Sequence, residues 1–355
     1  MSVSKNTKTN GIVPVTDEDQ CLDTTQLHGL EHAFREWADL APRADMRFSR
    51  RRILLIFLLI RYTGAKLNEV LVLDPLGEID PVQRVVFFRG NVGGKESGPR
   101  EVQLSETISR KIQELLADPC FRDASRNMLN VDPGFVRRKF YERAQACGFS
   151  KRMGGPEMIR KARAVELMQA NMPLPAVQMM LGHSTPNLTT AYVSFSEDEI
   201  RQVTRGFIER ESGRRTSARN AFFGKIKTIL GGDIQARVDL TTMDGHSITT
   251  VITNDSVERL GLQPGGLVMA EVKAPWVLLQ KGDLEPECSA ENRFKGVITR
   301  IARGSINTEY AVRISDGTQL CAIVSTTNQE RFQLEEGDRV WAFFNCFAVV
   351  LHLDH

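Results

Sequence analysis

The chain has 355 residues, of which 41% are hydrophobic and 25% are charged, an ordinary composition for a globular protein of two or three domains. The longest apolar run, Ile53–Ile60, is far shorter than the roughly eighteen residues that a transmembrane helix needs. The six cysteines are scattered, and no basic segment followed by an apolar one opens the chain. We therefore expect a cytoplasmic protein with reduced thiols, no secretory signal and no membrane partner.

The net charge of +2 is unevenly distributed along the chain. Residues 1–216 carry 32 Lys and Arg against 27 Asp and Glu, whereas residues 217–355 carry 14 against 17. Within residues 137–163 there are nine basic residues and two acidic ones. Such an excess suits a phosphate backbone, because each cation that meets a phosphate releases condensed counterions. On charge alone, a solvated helix face explains the segment equally well.

The first part of the chain is predicted to be helical. Residues 1–23 are polar and without periodicity, which predicts a disordered tail. A mostly helical domain is expected at 24–210, and the polar run at 211–216 indicates a linker. One buried helix, ending at Thr63–Gly64, is marked by a stripe of four residues, Leu54, Leu55, Leu58 and Leu59.

A β-hairpin interrupts the helical pattern. Val85–Phe88 and Glu101–Leu104 are rich in strand-forming residues. The loop between them contains several glycines, namely Gly90, Gly93, Gly94 and Gly98.

After the linker, the hydrophobic pattern changes to the two-residue period of a half-buried strand. An internal repeat of 72 residues, without a gap, also appears there and predicts two copies of one β-domain, at 217–284 and 289–354. Each copy has the length and the turn residues of a small closed barrel with about five strands. The recurring residues include Ser217, Ala218 and Asn220 as Ser289, Ala290 and Asn292, Phe222 and Gly224 as Phe294 and Gly296, and Val268 and Ala270 as Val340 and Ala342.

Two segments of the first copy, 217–220 (Ser-Ala-Arg-Asn) and 273–277 (Lys-Ala-Pro-Trp-Val), carry a resemblance to a known family. They resemble the OB-like Mop, or TOBE, domains, above all the paired module of the ModE-type molybdate-dependent transcriptional regulators. The resemblance implies that molybdate or tungstate is bound as a tetrahedral dianion at a dimer interface, and that no metal is bound as a cation. The implied ligands are Ser217, Ala218, Arg219, Thr253, Lys273 and Ala274.

The chemistry of such a dianion agrees with these residues. It presents only hydrogen-bond acceptors, so its site needs donors and positive charge and no nearby carboxylate. Arg219 supplies a planar fork and Lys273 a point charge; without the resemblance, both would be read as ordinary surface residues. In the second copy, Glu291 occupies the position of Arg219, and Asn345–Cys346 occupy that of Lys273–Ala274. The second barrel is therefore expected to pack rather than to supply cationic ligands.

Residues 50–200 resemble the catalytic domain of the tyrosine recombinases, the phage integrase family. Four segments carry the resemblance in the family's order: 61–70, which contains Thr63, Gly64 and Glu69; the hairpin with Lys95 and Arg100; 156–161; and 181–184, followed by Tyr192. The family cleaves DNA by the attack of a tyrosine hydroxyl on a phosphodiester. Arginines stabilise the negative charge on the phosphate in the transition state.

The resemblance implies a damaged active site. Four residues match catalytic positions, namely Lys95, Arg160, His183 and Tyr192, whereas Lys66 replaces an arginine and Glu157 replaces the histidine of the His-x-x-Arg segment. A carboxylate where negative charge develops opposes the reaction. We therefore expect no enzyme activity and a scaffold that still binds double-stranded DNA, through Arg50, Arg51, Arg52, Lys66, Lys95, Arg160, Lys161 and Arg163.

The two resemblances together predict a dimeric transcriptional regulator, a repressor of tungstate or molybdate uptake genes that binds an operator. Fusions of this kind are associated with tungstate-responsive regulation, which favours tungstate. Two alternatives remain open: an active site-specific recombinase with an oxyanion-binding accessory module, and an oxyanion store in which the N-terminal half serves assembly only.

Overall fold

The computed structural model describes residues 21–90, 98–121, 126–182, 195–211, 219–243, 245–314, 318–325 and 333–353. In these ranges, a helical region with a small hairpin sheet precedes two five-stranded antiparallel sheets, each curled into a half-barrel. The predicted fold class is confirmed. The helices are α1 (Thr24–Asp39), α2 (Ala44–Thr63), α3 (Leu67–Leu71), α4 (Glu106–Leu116), α5 (Pro133–Ala146), α6 (Pro156–Gln169), α7 (Leu174–Leu181), α8 (Glu197–Glu211) and α9 (Asn254–Arg259).

Helix α2 forms the centre of the helical region. Every residue of Ile53–Ile60 is buried, so this helix is surrounded by others on all sides. It ends where the sequence predicted, because Gly64 adopts the left-handed conformation (φ 65°) and its N–H caps the carbonyl of Ile60 at 3.0 Å. Phe34 of α1 stacks on Phe57 of α2 with a centroid distance of 4.2 Å.

The start of α1 corrects the predicted tail. Residues 1–20 of that tail lie outside the described ranges, but Leu22 is buried in the helical core. Asp23 caps α1, because its carboxylate accepts the N–H of Gln26 at 2.7 Å while the Gln26 amide accepts the N–H of Asp23 at 2.9 Å. Residues 21–23, which the prediction assigned to the tail, therefore belong to the helical region.

A buried charge cluster joins α2 to α6. Both nitrogens of the Arg61 fork donate to the Glu166 carboxylate at 2.7 Å, and Arg163 donates to the same carboxylate at 2.8 Å. Burial by itself raises the pKa of Glu166, but Arg61 and Arg163 lower it to about 2. The carboxylate is thus held ionised between two arginines that are each 1% exposed.

The hairpin sheet consists of β1 (Ile79–Asp80), β2 (Val85–Phe88) and β3 (Arg100–Gln103). Strand β2 pairs with both neighbours in antiparallel register, with Val86 opposite Val102. The predicted hairpin is confirmed, and the loop residues 91–97 lie outside the described ranges.

The C-terminal half contains two sheets of similar strand order. Their strands are β4 (Asn220–Gly231), β5 (Gln235–Thr242), β6 (Ser247–Thr253), β7 (Leu267–Val272), β8 (Leu278–Lys281), β9 (Asn292–Arg303), β10 (Asn307–Ile314), β11 (Gln319–Ser325), β12 (Arg339–Phe344) and β13 (Val349–His352). One sheet has the order β13-β7-β4-β5-β6, and the other has the order β11-β10-β9-β12-β8.

These strand orders show that the two repeats exchange their last strands. Strand β8 comes from the first repeat but pairs with β12 of the second, and β13 of the second repeat pairs with β7 of the first. The sequence predicted two self-contained barrels; the structure has two sheets that each borrow an edge strand from the other repeat.

An approximate twofold relation follows from the exchange. The Asn220 amide bonds the backbone of Cys321 in both directions, at 2.9 and 2.6 Å, and Asn292 bonds the backbone of Thr249 likewise, at 2.9 and 2.8 Å. These are the same contacts displaced by 72 residues. Stacked rings of Phe222 and Phe294, 5.8 Å apart, lie in the core that the two sheets share.

The recurring glycine of β4 and β9 has a packing reason. A methyl group on Gly224 would come within 2.9 Å of the Thr241 carbonyl oxygen, and one on Gly296 within 2.7 Å of the Arg313 oxygen. Any side chain there would push the neighbouring strand away.

The helical region packs directly on the first sheet. Phe207 of α8 lies 6.1 Å from Phe223 of β4, and Lys225 forms an ion pair of 2.7 Å with Glu199 of α8. Four residues of the first repeat belong to the same core as the helices, namely Ala221, Phe223, Met243 and Met269. The predicted linker lies outside the described ranges apart from Glu211, the last residue of α8.

None of the helices in the described part of the chain combines the length and the apolar composition needed to cross a membrane.

Candidate DNA interface and oxyanion site

The candidate recombinase-like centre lies where α6, α7 and the hairpin meet. Arg160 reaches across from α6, donating from Nε to the carbonyl of Gly64 at 2.7 Å and from Nη2 to that of Leu181 at 3.0 Å. Burial lowers the pKa of this guanidinium. Arg160 therefore joins two of the segments that carry the recombinase resemblance, and two of its three nitrogens already donate to protein carbonyls.

A second arginine in this centre is also bonded within the protein. The fork of Arg100 donates to both oxygens of Glu69, at 2.7 and 2.9 Å, and its Nε donates to the Met180 carbonyl at 3.2 Å. Burial by itself raises the pKa of Glu69, but Arg100 lowers it below its ordinary value. Gly182 lies against this guanidinium, and a methyl group there would come within 2.6 Å of Nη1.

The remaining predicted catalytic positions divide into two groups. Lys66 is half-buried at the start of α3, where its backbone N–H donates to Glu69 at 2.7 Å. Glu157 is exposed in the first turn of α6. The other three, Lys95, His183 and Tyr192, lie outside the described residues.

The predicted row of DNA-contacting cations needs one correction. Arg163 is 1% exposed and bonds Glu166, so it lies in the core and cannot contact a duplex. The sequence suggested an outward position because residues 160, 161 and 163 were treated as one helical face. Lys161 is half-buried.

Three further arginines of this row are half-buried and bonded within the protein. Arg50 donates to the Trp37 carbonyl at 2.8 Å and lies over its ring, and Arg51 pairs with Asp39 at 3.2 Å and with Asp118. Arg52 donates weakly to the carbonyl of Met128, at 3.4 Å.

Other cations are more exposed than the predicted ones. Arg137 and Arg138 project from α5, and Lys151 and Arg152 lie on a short 3-10 turn that follows it. All four belong to the basic segment 137–163. The basic composition of this segment is a signal that could have identified the four residues. The sequence prediction omitted them because it selected cations close to the recombinase motifs.

The candidate oxyanion site begins at the end of the β4–β7 ladder. Asn220 of β4 lies opposite Val272 of β7 in the last register pair. Arg219 and Lys273 are the residues next to this pair on the two strands. Both are exposed. Ala274 follows, 1% exposed, in a 3-10 turn (Ala274–Trp276) that contacts β11 of the second repeat. Three of the six predicted ligands are therefore brought together.

Thr253 does not join them within one chain. It caps α9, since its Oγ1 accepts the N–H of Ser256 at 3.2 Å. It also lies four residues along β6 from Thr249, the residue that contacts Asn292 rather than Asn220. Ser217 and Ala218 lie outside the described residues.

An acidic residue contacts the site, contrary to the expectation that no carboxylate would be near. Glu309 of β10 pairs with the Arg219 guanidinium and also accepts from Arg300 at 3.2 Å. The pair lines a cleft of about 260 Å³ between the second repeat and the end of α6, where Gln169 of this helix and Asn171 just beyond it also line the cleft.

The equivalent position in the second repeat has the opposite charge. Glu291 accepts the backbone N–H of Cys346 at 2.9 Å. Burial opposes ionisation there, but this hydrogen bond holds the pKa of Glu291 below its ordinary value. The Glu291 carboxylate therefore takes the N–H of the turn, and its charge opposes a dianion at this position; that the second repeat supplies no anion ligands stays a prediction.

Family models match both halves of the chain. Residues 43–199 match the phage integrase family, and residues 216–279 and 288–351 each match the TOBE domain. The chain therefore combines a segment that matches the phage integrase family with two segments that match the TOBE domain, as its sequence predicted.

Curated relatives resemble the C-terminal half. The DNA-binding transcriptional dual regulator ModE of Escherichia coli (strain K12) is 36% identical over 138 residues, 39% of this chain and 52% of that protein. The molybdenum-pterin-binding protein MopA of Rhodobacter capsulatus is 34% identical over 137 residues, with the same coverage. The chain thus spans about half the length of the curated relatives it matches.

Two solved structures are similar to different parts of the chain. The cytoplasmic molybdate-binding protein ModG, with molybdate bound, is 31% identical and aligns with 39% of this chain and 99% of that one, at a TM-score of 0.38. The XerH site-specific recombinase bound to difH substrate is 20% identical over 52% of this chain and 53% of that one, at a TM-score of 0.39.

Proposed function

We propose that this chain is an oxyanion-responsive, DNA-binding transcriptional regulator whose tandem TOBE domains sense tungstate or molybdate. The regulator represses genes for uptake of the anion it senses. The observation that carries the proposal is the adjacency of Arg219 and Lys273 beyond the last β4–β7 register pair, in a chain whose other half is of the integrase type.

The chemistry of the site supports an oxyanion ligand. A planar guanidinium and an ammonium at the ends of two paired strands match a small dianion, which accepts hydrogen bonds on every oxygen. The buried Ala274 opens a turn whose small first residue lets a backbone N–H approach a ligand closely. The relatives named ModE and MopA align with this half of the chain.

The regulator acts as a homodimer with the oxyanion at the subunit interface. Thr253 lies away from Arg219 in its own chain, so it can serve as a ligand only if a second copy supplies it. Exposed apolar residues on the two exchanged edge strands and the turns before them are suited to such an interface: Trp276, Leu278, Phe347 and Val350.

The integrase-type region binds DNA without cutting it. Arg160 and Arg100, which could clamp a phosphodiester, instead donate to backbone carbonyls and to Glu69. A phosphodiester in the transition state could use these arginines only if their present partners were displaced. It would also meet Lys66 in place of the family's arginine and Glu157 in place of the family's histidine. The exposed residues Arg137, Arg138 and Lys151 supply contacts to the phosphate backbone of DNA, which do not require an active catalytic site.

A DNA-binding titration tests the proposal. Genomic fragments retained by the full-length protein are selected, and binding of the best one is measured with tungstate, with molybdate and with sulfate as the control anion. Tungstate or molybdate should change the affinity for DNA by about fivefold or more, the usual size of allosteric coupling. Unchanged affinity with either anion, together with no heat of anion binding by calorimetry, would contradict the proposal.

The same material distinguishes the two alternatives. An active recombinase forms a covalent complex with a nicked suicide substrate, which the proposed regulator does not. An oxyanion store binds the anion but has no measurable affinity for DNA at moderate salt.

A further inference from the structure

The Arg219 guanidinium is already paired in the structure. Its partner is Glu309, which lies 90 residues further along the chain on β10 of the second repeat. The Glu309 side chain is 19% exposed and also pairs with Arg300. Its carboxylate is therefore held by two arginines, Arg219 and Arg300. The second repeat therefore contributes a negative group to the site at which the first repeat offers its cations.

A carboxylate and an oxyanion compete for the same donors. Both accept the planar N–H fork of arginine in the same bidentate way. Lys273 lies beside Arg219 in the ladder, so a dianion placed between the two cations would share the Arg219 fork with Glu309. Two negative groups on one guanidinium repel each other, and the anion can bind well only when the carboxylate withdraws.

The approximate twofold relation repeats this pair on the other side of the molecule with its charges exchanged, since Arg237 interacts electrostatically with Glu291 there. At the equivalent of Glu309 the first repeat has Arg237, and at the equivalent of Arg219 the second repeat has Glu291. The charges at the two positions are thus reversed. Arg237 pairs with Asp239 at 3.0 Å, in its own strand. Among the residues that the structure describes, the Arg219 side combines a ladder-end cation, a neighbouring lysine and a carboxylate, whereas the Glu291 side has a carboxylate and an asparagine at the positions of the two cations.

We infer that Glu309 is an internal competitor of the effector, which occupies Arg219 in the empty protein and is displaced when the oxyanion binds. The inference rests on the proposed function and identifies the residue that sets the effector concentration at which the regulator responds. Glu309 thus weakens binding of every oxyanion that uses Arg219, so the sensor responds at a higher effector concentration.

The test is calorimetric titration of the full chain with tungstate and with molybdate. Glu309→Gln keeps the shape of the side chain and removes its charge, and Glu309→Ala serves as a second variant should the amide retain the Arg219 contact. The matched control is Glu335→Gln, which removes one carboxylate from the same repeat at an exposed position on the turn before β12. Circular dichroism and thermal melting establish that each variant is folded.

Both Glu309 variants should bind the anion about two- to fivefold more tightly than the parent, the range that a partly exposed ion pair contributes to an equilibrium, while Glu335→Gln binds like the parent. If the parent binds and the Glu309 variants bind equally or more weakly, the competitor role is wrong and the proposed function stands. If neither the parent nor any variant binds either anion, both fail.

Discussion

The side-chain amide of Asn171 donates a hydrogen bond of 3.1 Å to the backbone carbonyl of Arg219, and so joins the helical region to a residue of the proposed effector site. Asn171 lies between α6 and α7 in the left-handed conformation (φ 66°) and is 6% exposed. Because α6 also carries Arg160 and Lys161, we expect a movement of Arg219 to reach this helix, which borders the candidate recombinase-like centre.

Removing this amide should uncouple the two halves of the protein. In Asn171→Ala, we expect oxyanion affinity close to that of the parent, while the oxyanion-dependent change in DNA affinity falls by about fivefold, which corresponds to one hydrogen bond. The measurement is DNA binding with and without saturating tungstate. Gln169→Ala, an exposed neighbour that lines the same cleft, should behave like the parent; an equal loss in both variants would argue against a specific role for Asn171.

The charge cluster between α2 and α6 should dominate the stability of the helical region. Glu166→Gln leaves Arg61 and Arg163 buried without their counter-charge, and we expect a loss of about 3–5 kcal/mol in the free energy of unfolding. Urea denaturation measures it. Glu142→Gln, which removes an exposed carboxylate paired with Lys139, should cost less than about 0.5 kcal/mol.

The same carboxylate predicts an acid-labile step. Its pKa is lowered from 4.5 to about 2 by Arg61 and Arg163 against the effect of burial, so the stability it contributes is fully present above pH 4.5 and is lost as the pH falls towards 2. Denaturation between pH 6 and pH 2.5 should show the parent losing about 3 kcal/mol more than Glu166→Gln. Parallel pH profiles would show that the lowered pKa is wrong.

The exchanged strand β13 should determine whether the first sheet is complete. Leu351→Ala empties a buried position in the shared core and should cost about 2–5 kcal/mol and weaken oxyanion binding, because β13 completes the sheet that holds Arg219 and Lys273. Ile306→Ala, which shortens an 82% exposed side chain on the turn between β9 and β10, is the control and should change little. Thermal melting and calorimetry give both quantities. Weakening in both variants alike would show that the loss is not specific to β13.

The exposed cations of α5 should carry DNA affinity. We expect the double variant Arg137→Ala, Arg138→Ala to bind every DNA sequence more weakly and to lower the slope of log affinity against log salt by about two. Fluorescence anisotropy across a salt series measures both. Arg303→Ala, an exposed cation on β9, serves as the control for net charge; an unchanged slope in the α5 variant would move the interface elsewhere.

How much the sequence could predict depended on how local each signal was. The stripe of leucines and the left-handed Gly64 fixed the end of α2 correctly, and the 72-residue repeat gave two related sheets, because these signals lie within short segments. The pairing of β8 with β12 could not be predicted, since β8 and β13 occupy equivalent places in the repeat and the pattern does not say which sheet each one joins. Glu309 was missed because it follows Arg219 by 90 residues and has meaning only after folding.

The swapped edges also constrain the order of assembly during synthesis. Strands β4–β7 are synthesised before β13. Their sheet lacks its outer strand until residues 349–352 have been made, some eighty residues after β7 ends. Contacts of such long sequence separation form late and slowly. A nascent chain therefore exposes the unpaired edge of β7 for most of its C-terminal half, and neither TOBE copy can be excised, transplanted or replaced as a unit without the other.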